Sequence, residues 1–225
     1  MIDVTTREIF IYEDIGPTWA GMFGTESLQE GLKALGKGPV NLRINSYGGS
    51  VDEALAMIEM LSRHDGDINV TVDSVAASAA SLFPAFFPSS AAPHARIMIH
   101  NPWTCCMGSA EDLRKEADVL DMYRDSLISI YEDAMGMTKA EVIDILDAET
   151  WYGADAAMTA GLVDSVGGVS AVTADPVPMN RFKNVPQDLE VSVVAAAIPP
   201  QPEHPKDFMA KMELLRLKCK LIRGS

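Results

Sequence analysis

Apolar positions follow two rhythms over the first 170 residues. Runs rich in β-branched residues recur at 8–15 (EIFIYEDI), 40–46 (VNLRINS), 68–75 (INVTVDSV) and 95–100 (ARIMIH). Their length and alternation predict strands. Between them the spacing changes to three and four. Helices are predicted at 25–36, at Ser50–Ser62, at 138–147 and over a long stretch at 109–135. In the long stretch Leu113, Ala117, Leu120, Leu127, Ile130 and Ala134 form one stripe. Ser50 followed by Glu53 predicts a capping box at the second helix. The tiny-residue run AASAASLFPAF is expected to continue the 68–75 strand as a helix. Strands alternating with helices imply an α/β fold with parallel pairing.

The pattern breaks near residue 170. Residues 171–205 are rich in Ala, Val and Pro and read as a linker. Residues 206–225 read as a short basic amphipathic helix. Three regions are therefore expected, 1–170, 171–205 and 206–225. Charge sharpens the last boundary: the 225-residue chain carries a formal −14, yet six Lys/Arg against Asp207 and Glu213 give residues 206–225 a net +4. The acidic body argues against a nucleic-acid partner, because phosphates repel it. No stretch of 18 uncharged apolar residues is present, so no membrane span is expected. Three cysteines, two of them adjacent (Cys105 and Cys106), do not form a disulfide framework and fit a reducing cytoplasm. The four histidines do not fall at metal-ligand spacing, and no metal or cofactor is expected.

Candidate chemistry gathers at element ends. Asn45-Ser46-Tyr47-Gly48-Gly49 joins a strand to a capped helix. A Gly-Gly pair there turns tightly and leaves amides free for an anion or oxyanion, or serves as a turn alone. Ser74, Ser78 and Ser81 lie where a strand gives way to a helix among tiny residues. Such a serine is either a nucleophile or a cap. His100 closes an apolar strand before Asn101-Pro102, and an acidic pair, Asp147 and Glu149, precedes Trp151. A hydroxyl nucleophile needs a base, an orienting carboxylate and an oxyanion hole, and all four candidates are present. Two apart in an extended segment, Asp147 and Glu149 face the same side, so spacing does not choose between them.

Four segments, in order, resemble motifs of the ClpP-like serine peptidases. Ile44-Asn45-Ser46-Tyr47-Gly48-Gly49 resembles their "INSPGG" turn, Ala76-Ala77-Ser78-Ala79-Ala80 their nucleophile segment, and Met98-Ile99-His100-Asn101-Pro102 their histidine segment. Glu149-Thr150-Trp151 through Gly161-Leu162-Val163-Asp164 resembles their acid segment and following helix. The resemblance covers about residues 8–168. "HNPWT", "SAEDLRKEADVLD" and "ETWYGADAA" are most similar to the phage head-maturation (prohead) branch.

The resemblance implies a ClpP/crotonase-like α/β spiral fold whose 109–135 helix is a handle interlocking with a partner ring. It implies a serine endopeptidase in a ring-like homo-oligomer, without cofactor, processing phage capsid or scaffold proteins. The implied roles are nucleophile for Ser78, base for His100, orienting acid for Glu149, and oxyanion donors for the Gly49 and Ala79 amides. The family's long axial leader is missing, which puts an ATPase partner in doubt. Tyr47 stands where the turn usually has proline, Ala79 where housekeeping members have methionine, and Glu149 where many members have aspartate. The readings kept beside this one are an acyl-CoA enzyme of crotonase type, an inert assembly scaffold, and a cysteine nucleophile at Cys105 or Cys106.

Overall fold

In a computed structural model the described residues are 1–167 together with Phe182, Asn184 and Val185. The 206–225 tail and all but those last three residues of the expected linker lie outside them. The described chain opens with β1 (Ile2–Asp3), β2 (Glu8–Ile11), α1 (Thr25–Leu35), β3 (Val40–Ser46) and α2 (Val51–Ser62). It continues with β4 (Ile68–Ala77), a 3-10 turn at Ser78–Ser81, α3 (Leu82–Phe86), β5 (Ser89–Ala91) and β6 (Arg96–Ile99). The last elements are α4 (Ala110–Met135), α5 (Lys139–Asp147), β7 (Thr150–Gly153), α6 (Ala154–Thr159) and β8 (Ser165–Val166).

The strands form one mixed sheet. β2, β3 and β4 run parallel in that order, and β1 adds antiparallel to β2. β4 is ten residues long and carries two different strands beyond its start. Val70–Val72 pair in parallel with β5, whereas Val75–Ala77 pair in parallel with β6. β6 in turn takes β7 antiparallel. The sheet therefore forks at β4, and the fork creates the strand ends where the functional candidates sit.

Period-two patterning packs one face of this sheet. Ile9, Ile11, Leu42, Ile44, Val70 and Val72 are buried against α1, α2 and their neighbours. Each such side chain contributes about 1.5–3 kcal/mol of transfer free energy. The opposite face carries a charged cluster. Arg43 on β3 pairs with Asp73 on β4, donates from Nη1 to Glu8 Oε1 on β2 at 2.9 Å, and Tyr12 donates to Asp73 at 2.7 Å. Burial, then the Asp73 hydrogen bond, pushes the Tyr12 hydroxyl well above its usual range.

Two helix starts differ from expectation. Ser50 does cap α2 by accepting from the Glu53 amide, but the Glu53 carboxylate does not close the box. Instead it accepts from the Thr25 amide at 2.8 Å and ties the start of α1 to α2. The expected helix from residue 76 begins later. Ala76 and Ala77 stay in β4, because their backbone groups pair with Ile97 and Met98 of β6.

In α4 the apolar stripe is covered only toward its C-terminal half. Leu127, Ile128 and Tyr131 are buried, while Leu113, Val119 and Met122 are exposed. Ser109 and Asp112 make the reciprocal capping box that fixes its start, and Gly136 ends it in the left-handed region. Among the described residues no helix is long and apolar enough to cross a membrane.

Candidate active site

Strand register brings the candidates together. Ala77 pairs with Met98, so Ser78 and His100 emerge at the adjacent C-terminal ends of β4 and β6. Ile99 pairs with Thr150 in the antiparallel β6–β7 ladder, so the next position across from His100 is Glu149. On the other side of β4, Ser46 pairs with Ala76 after a register shift at Asn45. That shift sets Tyr47-Gly48-Gly49 beside Ala77-Ser78-Ala79.

His100 Nε2 lies 2.8 Å from Ser78 Oγ. His100 Nδ1 lies 3.7 Å from Glu149 Oε2. Both His100 and Glu149 are more than nine-tenths buried, at 8% and 7% exposure, whereas Ser78 is half-buried. The Nδ1–Oε2 distance is an ion-pair distance longer than a hydrogen bond, and such contacts commonly tighten once substrate is bound.

Backbone strain marks the same residues. Three non-glycine residues among those described have positive φ, and two of them are Ser78 (54°) and Glu149 (49°). Left-handed backbone costs a non-glycine residue on the order of 1–3 kcal/mol, and persists where the surroundings fix it for function. At Ser78 the kink lifts the side chain out of the β4 ladder toward His100. At Glu149 it turns the chain from α5 into β7.

The glycine turn presses against the Ala77-Ser78-Ala79 segment. A Cβ on Gly48 would stand 2.8 Å from both Ala79 N and Ser78 Cβ, and Gly48 has φ 87°. A Cβ on Gly49 would collide with the Ile15 carbonyl, which accepts from the Ser50 amide at 2.8 Å. Only glycine gives this close approach at both positions. Gly49, Ser78, Tyr47, Pro102, Trp103 and Phe182 line a cleft of about 190 Å³, room for roughly one side chain.

The remaining serines have other duties. Ser74 lies within β4. Ser81 donates to the Ser78 carbonyl at 2.6 Å and meets the Tyr131 hydroxyl of α4 at 2.7 Å. It therefore fixes the turn that carries Ser78. Burial pushes the Tyr131 hydroxyl far above its usual range.

The two acids also separate. Asp147 ends α5 and accepts from Asn101 Nδ2 and Arg124 Nη2, each at 2.6 Å. It ties the segment after His100 to α4, and Glu149 is the carboxylate that faces the imidazole. Cys105 and Cys106 are exposed in the loop beyond Pro102. Among the described residues no cluster of three His, Cys, Asp or Glu side chains is placed to hold a metal.

Sequence reasoning missed Phe182 and Asn184, which lie within the expected linker. Phe182 is buried beside Tyr47, His100 and Trp151, with ring centroids 6.0, 6.1 and 5.7 Å away. The Asn184 amide donates to Glu149 Oε1 at 2.7 Å. The lone aromatic in an Ala/Pro-rich stretch was the signal available.

Comparison with known structures and sequences addresses the fold and the family. The fold matches a point mutant of ClpP1 from Listeria monocytogenes with a TM-score of 0.64 and 22% identity, covering 72% of this chain and 92% of that one. The Clp protease family model matches residues 4–170, and the chain belongs to that family. It is 34% identical over 133 residues to the ATP-dependent Clp protease proteolytic subunit 1 of Protochlamydia amoebophila, covering 57% of this chain and 65% of the relative. It is 32% identical to the subunit of the same name from Chlamydia muridarum, covering 69% of that protein. The chain thus spans about two thirds of the length of these relatives.

Proposed function

We propose that the chain is a serine endopeptidase working through Ser78, His100 and Glu149. The observation that carries this reading is the 2.8 Å contact between Ser78 Oγ and His100 Nε2, with the Glu149 carboxylate behind Nδ1. His100 Nε2 takes the hydroxyl proton as Ser78 Oγ attacks a peptide carbonyl. The Gly49 and Ala79 amides stabilise the oxyanion, and Glu149 stabilises the imidazolium. His100 then returns the proton to the leaving amine, and water releases the acyl-enzyme by the same base. Removing one oxyanion donor of this kind costs about 10²–10³-fold in rate.

The unpartnered half of α4, with Leu113, Val119 and Met122 exposed, supports a ring-like homo-oligomer enclosing the sites. The substrates we infer are phage capsid or scaffold proteins cleaved during head maturation, in the host cytoplasm or prohead. This rests on the similarity of "HNPWT" and "ETWYGADAA" to that branch. Residues 1–170 form the peptidase region in this reading, 171–205 a connecting segment and 206–225 an accessory basic tail. Hydrolysis of short fluorogenic peptides by the wild type and by Ser78→Ala, on material sized by light scattering, tests the reading. Activity lost in Ser78→Ala with an unchanged oligomer is expected, and equal activity in the two would overturn it. Proteins retained by Ser78→Ala and identified by mass spectrometry test the substrate class. Capture of general cell proteins without head proteins would contradict the maturation role.

A further inference from the structure

Three residues past the family-matched region pack against the catalytic cluster. Phe182 is buried at 7% exposure with Tyr47, Val75, Ala77 and Met98, and Val185 packs on the same group. Its ring stacks on Tyr47, with 26° between planes, and meets His100 and Trp151 edge-on. Two residues on, the Asn184 amide donates to Glu149 Oε1 at 2.7 Å, and Asn184 Nδ2 donates to the Ala148 carbonyl at 2.7 Å. Glu149 itself sits in strained left-handed backbone with φ 49°. Its two carboxylate oxygens thus face different partners, Oε2 toward His100 and Oε1 toward the Asn184 amide.

This geometry has a direct consequence for an acid one methylene longer than aspartate. A glutamate has an extra rotatable bond, so its carboxylate needs a second fixed contact to hold one orientation toward an imidazole. The Asn184 amide supplies that contact, and the side-chain bond to Ala148 holds the donor against the strained turn. Phe182 anchors the segment, and its stacking partner is Tyr47 of the glycine turn. The Tyr47–Phe182 pair and the Glu149–Asn184 bond therefore work as one unit, with the anchor and the donor two residues apart.

We propose that Phe182, Asn184 and Val185 form a clasp that positions the Glu149 carboxylate for His100, with Asn184 as a positioning residue acting through its backbone amide. The proposal rests on the triad reading above. It extends the functional unit of this chain beyond the residues matched by the family.

The test compares kcat and KM on a short fluorogenic peptide for full-length wild type, Asn184→Ala and Asn184→Pro, each also made in a Glu149→Ala background. Asn184→Pro removes the donor, and the carboxylate should lose its orientation. A misplacement of this kind costs about 10²-fold, here in kcat with KM nearly unchanged. Asn184→Ala keeps the amide and loses only the bond to Ala148, so kcat should fall roughly three- to tenfold, the worth of one neutral hydrogen bond. In the Glu149→Ala background both changes should become nearly silent, because residues acting in series are not additive. Unchanged kcat in Asn184→Pro, or a loss that persists in full without Glu149, would overturn the clasp.

A second measurement needs neither activity nor a foldable proline variant. In full-length Ser78→Ala protein, peptides spanning Phe182–Val185 should show slow amide hydrogen exchange that becomes fast when Glu149→Ala is added. Fast exchange in both proteins would contradict the clasp. An inactive wild type with a protected Asn184 amide would instead leave the clasp standing and count against the triad reading.

Discussion

Replacing Glu149 by glutamine removes one charge and almost no volume. The amide retains an oxygen for the Asn184 N–H, so the strained turn at Glu149 keeps its hydrogen bond. What is lost, in the proposed mechanism, is the attraction between a carboxylate and the imidazolium that forms as Ser78 attacks. The Glu149 Oε2–His100 Nδ1 separation is 3.7 Å, and both groups are more than nine-tenths buried. At an effective dielectric constant near 20 this attraction is about 4 kcal/mol. In the proposed mechanism the imidazolium forms on the way to the transition state, so nearly all of it should fall on kcat, a loss of about 10³-fold. Asp147→Asn is the matched control. Its carboxylate is half exposed and bonded to Asn101 and Arg124, so its loss should cost under about tenfold, as solvent-screened pairs do. Steady-state hydrolysis of a fluorogenic peptide reads both, with circular dichroism confirming that each variant is folded. A large kcat loss in Asp147→Asn with normal turnover in Glu149→Gln would refute the assignment, and no effect in either would leave a Ser–His dyad.

Other perturbations follow from the same geometry. Arg43→Ala leaves the buried Asp73 without its cation and should destabilise the fold by about 3–5 kcal/mol in urea melts, whereas Arg43→Met with Asp73→Leu should recover most of that loss. Tyr131→Phe removes the hydroxyl that meets Ser81 and should cost about 1 kcal/mol at pH 7. The folded-state value of that hydroxyl is raised, so its contribution is present below the ordinary tyrosine range and is lost as pH rises beyond it; the variant should show a shallower fall in stability above about pH 10. Gly48→Ala would drive a Cβ to 2.5 Å from the Ala77 carbonyl and should abolish turnover through the displaced Ser78 turn, detectable as lost activity in a protein that still assembles. Deleting residues 199–225 should leave short-peptide hydrolysis nearly unchanged, and loss of folded protein on that deletion would place the tail in the catalytic unit.

Much of the site was legible because its motifs lie at strand ends, where residue type and spacing are both constrained. Val40–Ser46, Val51–Ser62, Arg96–Ile99 and Ala110–Met135 were readable within a residue or so, since each has a clean period or cap. The short strands β1, β5 and β8 carry too few residues to show a period. The Ala76–Ser81 stretch was misread as helical from its start, because tiny residues suit either state and only pairing with β6 decides. Glu53 had the right spacing for its own cap, yet a tertiary partner, Thr25, took its carboxylate. Spacing did not choose between Asp147 and Glu149 and the resemblance pointed to Glu149, whereas the left-handed backbone that turns Glu149 from α5 into β7 is encoded in no sequence period. Asn184 meets Glu149 across 35 positions of chain, through a backbone donor that every non-proline residue possesses.

The central claim is that Ser78 is a nucleophile activated by His100. Intact-mass analysis after treatment with a fluorophosphonate probe tests it most directly. One probe adduct per wild-type chain, absent from both Ser78→Ala and His100→Ala and retained in Ser74→Ala, is the predicted result. Labelling that survives Ser78→Ala, or a folded wild type that takes up no probe, would contradict it.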